Sequence, residues 1–254
     1  PEDLVLYIKD PTMELSQELM SIVDLVIATG GAGVVKVAYS SGKPAYGVGA
    51  GNATVIVDET ADPAEVGDKV AKGKVFDNAT SCSSENNVII YEPLFDQVVA
   101  ELKKNRGYLV TGEERARLKA AMWPDGQHLS GKIVCKNAKF IAKEAGISVP
   151  DDTDFMMVLG EHIGPEDMFS AEKLSPVVTL WKYTDFDKAV QMVIDITAFS
   201  GYGHSCGIHS KNQEHIMELA TKARVSRMMV NQTQLYGNSG DWNNGMPFTM
   251  TLGC

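Results

Sequence analysis

Leu25-Val26-Ile27-Ala28-Thr29-Gly30-Gly31-Ala32-Gly33 passes from an apolar run into glycines without a single charge. Leu25 to Ala28 is uniformly apolar and half β-branched, the composition of a strand buried on both faces of a parallel sheet. Thr29 to Gly33 reads as a tight turn and Val34 to Tyr39 as a helix. Pro44 to Val48 opens the next strand. Upstream, Leu4 to Ile8 reads as a short strand and about Thr12 to Ile22 as a helix. Strand, helix, strand, glycine turn, helix, strand is the tail of a doubly wound α/β unit.

The alternation continues downstream. After a loop holding Gly47, Gly49 and Gly51, strands are expected at Thr54 to Val57, Asn86 to Tyr91, Phe155 to Leu159, Val177 to Trp181, His204 to His209 and Met228 to Asn231. Asp62-Pro63-Ala64-Glu65 starts a helix with a cap, a proline in the first turn and an acid three residues on. Pro93 to Lys104 places Phe95, Val98, Val99 and Leu102 on one helical face. Further helices are expected at Glu113 to Met122, at Ala138 to Ala145, after Asp185, and from Gln213 to Ala223. From Gln232 the chain is polar and rich in Asn and Gly.

Composition narrows the function. The 254 residues are 44% hydrophobic and 22% charged, which is ordinary globular usage. The net charge is −10 with Lys and Arg scattered, so nucleic acid is not an expected partner. The apolar stretch from Leu25 to Val35 is too short and glycine-rich to span a bilayer, and no membrane partner is expected. Four dispersed cysteines, with no CxxC pair and no signal peptide pattern, point to a reducing cytoplasm. No ligand spacing suggests a metal. The chain opens at Pro1 without a methionine, so a preceding segment is an open expectation.

Two stretches are candidates for chemistry. Thr29-Gly30-Gly31-Ala32-Gly33, between a strand and a helix, can turn backbone N–H groups onto a phosphate; it does not match G-x-G-x-x-G and reads equally well as a close-packed turn. Asp77-Asn78-Ala79-Thr80-Ser81-Cys82-Ser83-Ser84-Glu85 is a polar loop with a cysteine at its centre. A loop thiol among hydroxyl and amide donors suits a nucleophile. From chemistry alone, a small buried cysteine remains the alternative.

Ile27-Ala28-Thr29-Gly30-Gly31, Tyr39-Ser40-Ser41-Gly42-Lys43-Pro44, Gly47-Val48-Gly49-Ala50-Gly51-Asn52, Phe76-Asp77-Asn78 through Cys82-Ser83-Ser84-Glu85, Glu172-Lys173-Leu174-Ser175-Pro176 and Thr251-Leu252-Gly253-Cys254 follow in one order. Each block is weak, but the ordered set resembles the CoA-acylating branch of the aldehyde dehydrogenase superfamily over essentially the whole chain. The resemblance implies an aldehyde dehydrogenase-like α/β fold. Residues 1–46 would close a Rossmann-type NAD(P)-binding domain, and residues 47–254 would form a three-layer catalytic domain, its last segment returning toward the first.

In that family a cysteine matching Cys82 attacks the aldehyde to give a thiohemiacetal; hydride passes to NAD or NADP, and the resulting thioester is transferred to CoA. His204 matches a histidine common in the acylating branch, able to assist the CoA thiol; a structural histidine remains the alternative. Glu172 matches the acid that holds the nicotinamide ribose, with Thr29, Gly30, Gly31 and Gly49 also assigned to the cofactor. Asn78, Ser81, Ser83 and Asn231 are expected near the substrate. Arg224, Arg227 and the donors Gln232, Gln234, Asn238, Ser239, Asn243 and Asn244 offer an anionic aldehyde a polar setting. Asn238 to Pro247 looks most like enzymes of sulfoacetaldehyde, with succinate semialdehyde and acetaldehyde as alternatives.

Hydrolytic relatives carry a glutamate base where this chain has Gly47, which favours CoA over water; Glu59 or Glu85 substituting for it is the alternative. The family's oxyanion-hole asparagine and first cofactor strands find no match, and its motif runs on past Cys254, as expected of a fragment. A homodimer or homotetramer is usual for the family. The rival readings are a hydrolytic enzyme, a generic dinucleotide-binding protein, and a non-catalytic interaction module of the same fold.

Overall fold

The computed structural model describes residues 4–241, 244 and 245. They fall into two compact units, Pro1–Gly49 and Ala50–Cys254.

The first unit is built on helix α1 (Met13–Ile22), strand β1 (Val26–Thr29), helix α2 (Ala32–Tyr39) and strand β2 (Ala45–Val48). Thr12 caps α1 by accepting Leu15 N at 3.2 Å. β1 and β2 are parallel, with Val26 opposite Ala45 and Thr29 opposite Val48. A small core of Val26, Ala28 and Ala38 holds the strands to α2. The strand expected at Leu4 to Ile8 is absent: these residues have no regular structure. Leu4 to Tyr7 are 77–85% exposed. A strand needs a ladder partner, and their alternation finds none among the described residues.

The second unit runs β3 (Ala53–Val57), α3 (Pro63–Val75), β4 (Glu85–Tyr91), α4 (Phe95–Lys104), β5 (Gly107–Leu109), α5 (Gly112–Met122) and α6 (Ala138–Glu144). It continues with β6 (Phe155–Leu159), β7 (Val177–Tyr183), α7 (Phe186–Phe199), β8 (Gly203–His209), α8 (Gln213–Lys222), β9 (Val225–Val230) and α9 (Gln234–Ser239). Seven strands form one sheet in the order β5-β6-β7-β4-β3-β8-β9. Every neighbouring pair is parallel.

Consecutive strand residues point to opposite faces, and the cores follow that rule. Val57, Val88, Ile90 and Leu180 pack with Val66 and Val70 of α3 and Val98 and Leu102 of α4. Their neighbours Ile56, Ile89, Trp181 and Ile208 pack on the other face with Val190 and Val193 of α7 and Leu219 of α8. Helices α5 and α6 cover the remaining strands through Leu118, Met122, Ile141, Met156 and Val158. This is the expected three-layer α/β arrangement.

Asp62 caps α3 as expected, its Oδ1 accepting Ala64 N at 2.8 Å. Two elements were not anticipated. β5 is three half-buried residues, too short for a periodicity signal. α9 buries Gln234, Leu235, Gly237 and Asn238, a face that is mostly polar. Among the described residues no helix is long and apolar enough to cross a membrane.

Because all seven strands run the same way, the segments preceding β3, β4, β7 and β8 gather along one edge, at the strands' amino ends. Gly51, Cys82, Glu172 and Gly201 lie in these segments, and His204 at the start of β8.

Candidate active site

The chain between α3 and β4 is bent by three consecutive residues of positive φ: Asp77 (47°), Asn78 (51°) and Ala79 (54°). Asp and Asn tolerate the left-handed region; Ala79 does so at a cost of about 1–2 kcal/mol. The next turn is tied by its serines. Ser84 N donates to Ser81 O at 3.0 Å, and the Ser81 and Ser83 hydroxyls lie 2.9 Å apart. Cys82 sits within this turn, half-buried.

Cys82 Sγ lies 3.2 Å from His204 Nε2. The other ring nitrogen, Nδ1, is 2.8 Å from Ser205 Oγ. His204 is buried, and desolvation, helped by the Arg227 charge, lowers its pKa to about 4. The imidazole is therefore neutral at pH 7, and Nε2 can take a thiol proton when Nδ1–H faces Ser205.

Gly51 binds the cysteine turn to the acid. A Cβ on Gly51 would fall 2.8 Å from both C and Cβ of Cys82, and closer still to its carbonyl oxygen. Gly51 N donates to Glu172 Oε1 at 2.9 Å. Burial raises the Glu172 pKa to about 7, against the Gly51 N–H, Lys173 and Lys74, which lower it. A half-buried carboxylate with one oxygen held by a backbone N–H is a suitable acceptor for vicinal hydroxyls such as those of a ribose.

Beneath these loops lies a buried polar layer. Asn52 Nδ2 donates to Ser170 O at 2.7 Å, and Asn87 Nδ2 to Asn52 Oδ1 at 2.9 Å. Lys74 and Glu85 are fully buried; burial drives the lysine's pKa down and the carboxyl's up, each opposed by the other's charge. Glu85 Oε1 accepts Gln234 N at 2.8 Å. Gly73 leaves room for that carboxyl, since a Cβ there would stand 2.6 Å from Glu85 Cδ.

The structure thus brings Cys82, His204, Ser81, Ser83 and Glu172 into one set of converging loops. Asn78 belongs to the same loop, but its amide is exposed and donates to Cys135 O at 3.2 Å. Asn231 is not brought there. It follows β9 at the carboxyl edge, clamped to Ser210 by bonds of 2.9 and 2.7 Å. Thr29, Gly30, Gly31 and Gly49 belong to the first unit, where Gly30 N donates to Val48 O at 3.0 Å and Gly31 caps α2. Asn244 Nδ2 reaches Gln232 Oε1 at 3.1 Å. Trp242, Asn243, Met246, Pro247 and the block Thr251 to Cys254 lie outside the described residues.

A Cβ on Gly47 would meet Val35 Cγ1 at 2.6 Å and Tyr39 Cε2 at 2.8 Å. Of the acids weighed as substitutes, Glu85 is sealed in the core. Glu59 follows β3 at the carboxyl edge, beside Asp58 and His215. The sequence marked Gly51 and Asn52 only as part of a motif, with no role in the site, and Lys74 and Asn87 not at all. Their one signal was polar or glycine residues interrupting apolar runs just before or within β3 and β4, and, for Lys74, within α3.

No family model matches the chain. It is 48% identical over its whole length to an acylating sulfoacetaldehyde dehydrogenase of Bilophila wadsworthia, covering 56% of that protein. It is 40% identical to an acetylating succinate-semialdehyde dehydrogenase of Clostridium kluyveri, covering 56% of it. An acetylating aldehyde dehydrogenase from Geobacillus thermoglucosidasius superposes on 96% of this chain and 54% of its own, with a TM-score of 0.92 and 36% identity. A propionaldehyde dehydrogenase of Rhodopseudomonas palustris, solved with bound CoA and an acylated cysteine, covers 95% of this chain and 54% of its own at a TM-score of 0.84 and 25% identity. The chain spans about half the length of the curated relatives it matches. In sequence along its whole length, and in fold, it is similar to about half of an acylating aldehyde dehydrogenase.

Proposed function

We propose that the protein to which this chain belongs converts an aldehyde, CoA and NAD(P)+ to acyl-CoA and NAD(P)H, with Cys82 as nucleophile. The observation that carries the reading is the approach of His204 Nε2 to Cys82 Sγ at 3.2 Å. In this reading Cys82 gives its proton to His204 and its sulfur bonds to the aldehyde carbon, forming a thiohemiacetal. The backbone N–H of Cys82 would help hold the developing oxyanion. A bound NAD(P)+ would supply the hydride acceptor for that carbon, whose oxidation leaves a thioester on Cys82. Glu172 would hold its ribose, an assignment supported by the donor-bound carboxylate described above. His204 releases the first proton to solvent and then accepts the proton of the CoA thiol; the CoA sulfur attacks the thioester, and Cys82 leaves as the thiolate and regains that proton from His204.

Water competes poorly because the chain has glycine at position 47, and general-base help is typically worth ~10²–10⁴-fold. A thiol ionises far more readily and needs less help. The substrate we infer is sulfoacetaldehyde, since the Bilophila enzyme is more similar than the succinate-semialdehyde enzyme, 48% against 40%. Residues 1–46 as the end of the cofactor domain, residues 47–254 as the catalytic domain, cofactor roles for Thr29, Gly30, Gly31 and Gly49, a homodimer or homotetramer and a cytoplasmic setting go with this reading.

The test is acyl-CoA and NAD(P)H formation by the full-length parent enzyme and its Cys82→Ala variant, on sulfoacetaldehyde, succinate semialdehyde and acetaldehyde, with and without CoA. CoA-dependent turnover that vanishes in Cys82→Ala supports the reading, and the preferred aldehyde names the substrate. Turnover without CoA would assign the hydrolytic reaction instead.

A further inference from the structure

The loop bearing Glu172 is fastened to the chain on both sides of Cys82. Four residues before the cysteine, Asn78 Nδ2 donates to Cys135 O at 3.2 Å, and Cys135 N donates to Leu174 O at 3.0 Å. Four residues after it, Asn86 Oδ1 accepts Lys173 N at 3.0 Å and Asn86 O accepts Lys173 Nζ at 3.0 Å. The same Nζ donates to Ala171 O at 2.8 Å. Both backbone neighbours of Glu172 are thereby tied to Asn86. Asn78, Cys135 and Leu174 all hold positive φ, at 51°, 64° and 41°. For a leucine that conformation costs about 1–2 kcal/mol, so the fastening persists against local backbone preference.

Lys173 is fully buried. Among the described residues no carboxylate oxygen lies within 4.0 Å of its Nζ, so it is not one half of an ion pair. Burying an amine is costly, and a methionine of similar length would fill the same space without that cost. What the amine alone does is bridge Ala171 O and Asn86 O.

We propose that Lys173 is a positioning residue that locks the Glu172 carboxylate to the cysteine-bearing segment, fixing the cofactor ribose relative to Cys82. This rests on the reading of Glu172 as the ribose acceptor. Lys173→Met removes the bridge together with the amine's pull on the Glu172 carboxyl, so its effect falls on the cofactor and not on the thiol.

The experiment uses the full-length parent enzyme. It measures Kd for NAD+ and NADP+ by calorimetry without aldehyde, the rate of Cys82 alkylation by iodoacetamide without cofactor, and the split between cofactor KM and kcat. In Lys173→Met, Kd should rise about tenfold or more, in line with the cost of misplacing a binding group by a fraction of an ångström. The alkylation rate should stay within about twofold, and KM should change more than kcat. An unchanged Kd overturns the proposal, as does an equal loss in both readouts, which marks general loosening. If Lys173→Met does not fold, Lys173→Gln keeps a polar side chain that is too short to span Ala171 O and Asn86 O. The same split is expected there, and an unchanged Kd again overturns the proposal. A wild type that binds neither dinucleotide overturns the functional reading, and this inference with it.

Discussion

His204 Nε2 lies 3.2 Å from Cys82 Sγ on a ring that burial keeps neutral, its pKa lowered to about 4. A neutral base beside the sulfur is ready to take a proton over the whole physiological range, because it becomes protonated only below that pKa. The acid limb of kcat/KM assignable to His204 should therefore fall well below pH 6.5. His204→Gln should lose ~10²–10⁴-fold in acyl transfer to CoA. A pH profile of the parent enzyme tests both, and a His204-dependent limb near pH 6.5 would sink the assignment.

Glu172 places function against stability. Burial raises its pKa from 4.5 to about 7. A carboxyl that ionises less readily folded than unfolded binds more protons in the native state between those values, so its contribution falls as pH rises through that window. Glu172→Gln keeps an acceptor for Gly51 N–H and removes the buried charge. At pH 8 it should raise stability by on the order of 1–2 kcal/mol, after discounting for partial exposure, and near pH 4.5 the gain should vanish. Cofactor affinity should drop at the same time. Denaturant melts at the two pH values, paired with NAD(P)+ titration, check this; equal effects at both pH values would show that the charge is not the cause.

The parallel strands were legible in the sequence because β3 and β4 are apolar on both faces. The polar setting of Cys82 likewise singled it out. Lys74, Lys173 and Glu85 were not legible as core residues, since charged side chains read as surface unless their partners are known. Those partners lie far along the chain, as Lys173 and Asn86 show. Asn231 was assigned to the substrate from its place in a polar segment. Pattern does not say which end of a parallel strand faces the site, and the register of β8 with β9 carries Asn231 to the opposite edge from His204. β5 and α9 escaped because one is three residues long and the other buries amides in place of an apolar stripe.

Gly51 supplies the most direct test of the loop geometry. Its φ is not in the left-handed region, so alanine fits the backbone and only the contact with Cys82 opposes it. That contact is with main-chain atoms, which cannot rotate away. Gly51→Ala should cost about 1–3 kcal/mol, as overpacking does. By displacing the cysteine turn, it should also lower turnover by about 10²-fold. Gly112 is the control, because a Cβ there meets nothing within 4 Å and the residue begins α5. Gly112→Ala should leave turnover unchanged and add up to about 1 kcal/mol of stability. Thermal melts and turnover of the two variants in the full-length enzyme decide the matter. A Gly51→Ala enzyme as active as Gly112→Ala would mean that Cys82 is not held where the structure places it.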